Sequence, residues 1–172
     1  MTPGTLTVHI SDAELIVEVT SGGQHVLPVG PLTLQAGPLR GSDPPPPASL
    51  TNALGLVEDH LDDLIIEAPT IAATPGVVLT GPYAEALARI EIGTSLIPAD
   101  YELQRADADE VFRTVAVEAA AERGHNPGLP ADHVESIIAT CCVILGIMRR
   151  LDLSAVTVAA SATPSHNSET TG

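Results

Sequence analysis

Polar and apolar positions alternate at the start of the chain. Residues 5–10, TLTVHI, place Leu6, Val8 and Ile10 against Thr5, Thr7 and His9. Residues 14–20, ELIVEVT, set Leu15, Val17 and Val19 against Glu14, Glu18 and Thr20. A period of two with one apolar side predicts strands with one face buried. Ser11-Asp12-Ala13 between them predicts a tight hairpin. Ser21-Gly22-Gly23 turns the chain into a third strand over 24–34, which Pro28 and Pro31 interrupt and bend. A stiff connector, GSDPPPPA (41–48), follows.

The period then lengthens. Residues 49–67 predict an amphipathic helix with Leu50, Leu54, Val57, Leu61 and Leu64 on one face. GVVLTG (76–81) reads as a short apolar strand, and Pro82 opens a helix in PYAEALARIEIG. Residues 94–106 read as a loop or short helix. Asp107 and Glu110 are spaced as a capping box for a helix over 108–123, ended by Gly124. The longest apolar stretch is 129–151, with Pro130, Asp132 and Glu135 at its start and Arg149 and Arg150 at its end. It is apolar nearly all round, which predicts a buried helix. AVTVA (155–159) closes as a strand, and the polar residues 161–172 read as a disordered tail. The order β-β-β-α-β-α-α-α-β predicts one α/β domain over residues 1–160, a mixed sheet of about five strands covered by helices.

Composition narrows what such a domain can do. Phe112, Tyr83 and Tyr101 are the only aromatics, so the core must be aliphatic. The formal net charge is −15, with seven arginines and no lysine. That field repels polyanions, which argues against nucleic acid and makes polyphosphate an unfavourable ligand. No apolar run reaches the roughly 20 residues of a membrane span, and residues 1–7 lack the basic region of a signal peptide. A cytoplasmic protein is the expectation. Cys141 and Cys142 are neighbours in sequence, a spacing that disfavours a disulfide and predicts packed thiols in a reducing compartment.

Candidate chemistry is sparse. Glu58, Asp59, Asp62 and Asp63 fall one helical turn apart in pairs and are the candidate ligands for a divalent metal, against their reading as an acidic solvated face. His9, His25, His60, His125, His133 and His166 show no zinc spacing. No nucleophile elbow, phosphate-binding P-loop or dinucleotide fingerprint is present.

One further reading comes from whole segments. SLTNALGLVEDHLDDLIIE, GVVLTG, ALARIEIG and the run from YELQRADADEV to GIMRRL resemble the Ppx/GppA family of exopolyphosphatases and guanosine pentaphosphate phosphohydrolases. ERGHNPGLPADHVESI resembles most closely, matching the family's "eR…pGLp…RADvI" segment. The resemblance runs from about residue 5 to 160 and corresponds to the second lobe of the family's core. It implies a single lobe of the actin-like, ribonuclease-H-like ATPase fold. It also implies where phosphate would sit: in a glycine-rich loop after the first strand and at a Gly-Thr pair after the middle one. Here the first position reads His9-Ile10-Ser11-Asp12-Ala13-Glu14, without glycine, and the second reads Thr80-Gly81-Pro82. Ser11, Asp12, Thr80 and Gly81 are therefore the remnants of a phosphate loop. His133 stands where the family has arginine and Glu135 where it has aspartate. The expectation is a degenerate lobe that is not catalytic by itself, uses no cofactor, and acts through a protein partner or self-association. The alternative is a polyphosphate or guanosine pentaphosphate phosphohydrolase, completed in trans by a first lobe and using Mg2+.

Overall fold

A computed structural model describes residues 4–20, 22–74 and 76–160. Thr5–Ile10 forms β1, Leu15–Val19 β2 and Gln24–Leu27 β3, each antiparallel to the strand before it. Gly76–Thr80 (β4) lies parallel to β1, and Ala155–Val158 (β6) parallel to β4. Tyr101–Gln104 (β5) adds antiparallel to β6, so the sheet runs β3-β2-β1-β4-β6-β5.

The alternation read from the sequence decides which face is buried. Leu6, Val8, Ile10, Leu15, Val17, Val77, Leu79, Leu103, Val156 and Val158 are all buried. Thr7, His9, Ile16, Val78, Thr80 and Thr157 take the other parity and stay partly exposed. The buried face shares one apolar core with the helices Pro31–Ala36 (α1), Pro47–Glu67 (α2), Pro82–Ile92 (α3), Arg105–Val115 (α4) and Ile137–Arg150 (α6). A four-residue turn of helix, Ala120–Arg123 (α5), follows α4. The organising helix is α6. It touches α1, α2, α3 and α4, and every residue from Ile137 to Met148 is buried. Gly146 lets α2 come close: a Cβ there would stand 2.7 Å from Val57 Cγ1. No helix of the described residues is long and apolar enough to cross a membrane.

The structure corrects several expectations. The sheet has six strands; the sixth, β5, falls in the segment read as loop or short helix. Its alternation spans only four residues, with Leu103 alone buried, too short a run to carry a period. The third strand ends at Leu27, because Pro28 has no N–H for the ladder and Pro31 starts α1 at a first-turn position. The proline connector is likewise shorter, since Pro47 is already inside α2. The helix expected over 108–123 begins at Arg105, so Asp107 lies in its first turn and the capping box does not open it. That helix also breaks after Val115. Ala119 is extended (φ −73°, ψ 162°) and α5 turns so that Arg123 can enter the interior. The run 129–151 is helical from Ile137; Ala131–His133 is a separate 3-10 turn that lays His133 against Tyr83. The tail at 161–172 lies outside the described residues.

Candidate functional site

The crevice forms where β1 and β4 end side by side. His9 and Thr80 are register partners, and His9 Nδ1 lies 3.0 Å from Thr80 Oγ1. Gly81 then turns the chain at φ +103°, a conformation that favours glycine. A Cβ there would also meet the Ile10 carbonyl at 2.8 Å, so the exit of β4 is pressed onto the end of β1. Pro82 follows as the first residue of α3, and Tyr83 sits one position on.

The hairpin after β1 is tied down from within and from outside. Ser11 donates its N–H and its hydroxyl to the Glu14 carbonyl, both at 3.0 Å. The Asp12 carbonyl accepts the Leu32 N–H at 2.9 Å, and Thr33 Oγ1 donates to the Ala13 carbonyl at 3.3 Å. Gly30 packs so closely that a Cβ would stand 2.6 Å from the Asp12 oxygen. The loop is thus a fixed wall.

Across that wall, Tyr83 donates its hydroxyl to Asp12 Oδ1 at 2.5 Å. Burial, and then the hydrogen bond and charge of Asp12, push the Tyr83 phenol up to about 12. The Tyr83 ring meets His133 edge-on, with centroids 5.1 Å apart and planes at 84°. His133 Nδ1 is buried and finds no hydrogen-bond partner among the described residues. An open cleft of about 430 Å³ results, lined by His9, Ser11, Asp12, Glu14, Pro82 and Tyr83. Its charged side chains are carboxylates and no arginine reaches it.

Of the four candidates, Ser11 and Asp12 line the cleft, while Thr80 and Gly81 stand behind it against His9 and Ile10, at the carboxyl ends of parallel strands, the usual place for a ligand in such sheets. It does not gather the metal candidates. Glu58, Asp59, Asp62 and Asp63 lie along α2 away from the cleft lining, and Asp62 pairs with Arg150. Among the described residues, no three His, Cys, Asp or Glu come together where a cation could be held. The magnesium of the alternative reading has no such cluster to occupy among the described residues. Sequence reasoning missed Tyr83, which binds Asp12 and orders His133. The available signal was an aromatic residue directly after a strand-ending Gly-Pro, in a chain with three aromatics.

No protein-family model matches this chain, and no curated protein matches it in sequence. Solved structures do match in fold. The Ppx-GppA enzyme of Aquifex aeolicus superposes with a TM-score of 0.78 at 15% identity, over 91% of this chain and 53% of that one. An exopolyphosphatase-like protein gives 0.80 at 14% identity, over 92% and 56%. An exopolyphosphatase from Cytophaga hutchinsonii gives 0.69 at 13%, over 92% and 55%. The chain thus has the α/β fold of one part of these proteins and spans little more than half their length.

Proposed function

We propose that this lobe is a protein-docking or regulatory module that does not itself hydrolyse phosphoanhydrides. The observation that carries the reading is the Asp12 carboxylate. It stands in the crevice held by Tyr83, where the Ppx/GppA resemblance implies that phosphate would be gripped. Phosphoryl transfer depends on donors and cations aimed at developing negative charge. Here Ser11 spends both donors on Glu14, and Pro82 brings no N–H. Asp12 and Glu14 oppose an anion in the cleft, and the formal charge of −15 opposes it over the whole surface.

The competing reading is a polyphosphate or guanosine pentaphosphate phosphohydrolase completed in trans. Its support is that the matched proteins, two of them exopolyphosphatases or like them by name, are more than half as long again. The two readings separate in one preparation. Phosphate release from polyphosphate and guanosine pentaphosphate is measured with magnesium, for the chain alone and mixed with the first half of a two-lobe relative. Light scattering on the same samples gives the mass. The docking reading expects no release in either case, together with a dimer or a complex with the added half. Release of phosphate in either mixture overturns the non-catalytic part. A strict monomer that ignores the added half overturns the docking part.

A further inference from the structure

A second constellation lies apart from the crevice, where residues 41–46 pass the turn before α5. The Arg123 side chain is only 3% exposed. Its guanidinium donates to Asp43 Oδ1 at 2.7 Å, to the Glu118 carbonyl at 2.5 Å and to the Val134 carbonyl at 3.0 Å. The second Asp43 oxygen accepts the Ala120 N–H at 3.0 Å. The Asp43 carboxylate is therefore received as a ligand would be, one oxygen on a buried cation and the other on a backbone amide. Asp43 itself remains 46% exposed, on a segment otherwise rich in proline. Beside the pair opens a cavity of about 250 Å³, walled on its apolar side by Leu39, Pro45, Ile138 and Ala139.

A buried guanidinium must keep an anion beside it, but that anion need not belong to the same chain. We propose that this cavity is a receptor for a small aliphatic monocarboxylate, with Asp43 as its built-in occupant. An incoming carboxylate takes the two donors of Asp43, its hydrocarbon part covers Leu39, Pro45 and Ile138, and Asp43 moves out together with residues 41–46. The cavity falls below the size that suits a drug-sized molecule, which favours a short chain. One donor for each of two oxygens suits a carboxylate. Glu135 on the same wall disfavours a dianion such as phosphate or sulfate.

The test uses isobutyrate as the probe, with chloride and sulfate at equal ionic strength as controls. Asp43→Ala is expected to melt below the wild type, to recover saturably with isobutyrate alone, and to bind it at least about tenfold more tightly than wild type, because no internal occupant has to leave. Recovery no greater than with chloride or sulfate overturns the proposal and leaves a structural ion pair. Should Asp43→Ala fail to fold, the wild type decides. Isobutyrate is expected to shift the Ala120 N–H resonance saturably, and an unmoved resonance overturns the receptor.

Discussion

Tyr83 shows how one side chain sets the character of the crevice. Its hydroxyl satisfies Asp12 while its ring rests on His133. Removing that hydroxyl in Tyr83→Phe leaves Asp12 to water, since the carboxylate sits at an open cleft. The expected cost is about 1 kcal/mol, read from urea unfolding. The same contact predicts an alkaline signature. The ordinary phenol titrates near ~10, and burial with Asp12 raises Tyr83 to about 12. Its contribution to stability is whole below the unfolded value and is lost as pH rises toward the folded one, because the unfolded chain releases the proton first. Tyrosinate absorbance should show a late-titrating tyrosine in the wild type that is lost in Tyr83→Phe. Of this site, the sequence placed the turns after β1 and β4, because the apolar pattern of both strands is strong. It could not show the Tyr83–Asp12 contact, which joins residues 71 apart in sequence, nor that His133 lies beside them.

Between elements, α2 and α6 come close together at Gly146. Alanine there gains about 1 kcal/mol of helix propensity, but its Cβ would meet Val57 Cγ1 at 2.7 Å and Cβ at 2.9 Å. Valine is stiff at χ1 and cannot swing clear. Gly146→Ala should therefore lose about 1–3 kcal/mol in chemical unfolding. In a Val57→Ala background the Cγ1 clash is gone while the Cβ contact at 2.9 Å remains, so the same change should cost less, a coupling that a double-mutant cycle isolates. Elements of this kind were legible where a pattern ran long. The first two strands, α2 and the buried span of α6 follow their apolar periodicity closely. Short elements were not. Strand β5 has four residues, α1 has six, and the break between α4 and α5 lets Arg123 reach Asp43, 80 residues away, as well as the Glu118 and Val134 carbonyls. Local propensity carries no record of such a pull.

For the whole molecule, charge outweighs any single contact. Twenty-two acids against seven arginines leave −15, and few of the acids are paired by arginine among the described residues. Self-repulsion of this size destabilises the compact state and is screened by salt over about 10 Å at ~0.1 M. The thermal midpoint should rise from low to physiological ionic strength, and a falling midpoint would show instead that the few ion pairs dominate. The same field bears on docking. Copies of this chain repel one another at long range, so a basic partner has the advantage in encounter rate.

The central helix also equips the molecule with a clock. Cys141 and Cys142 are fully shielded, and burial raises both thiols, Cys142 to about 12. The thiolate is the form that alkylating reagents attack, so neither sulfur reacts until α6 leaves its surroundings. Iodoacetamide labelling should consume both sulfurs together, at the pace of whole-chain opening. Early capture of one alone would reveal that the interior breathes in parts.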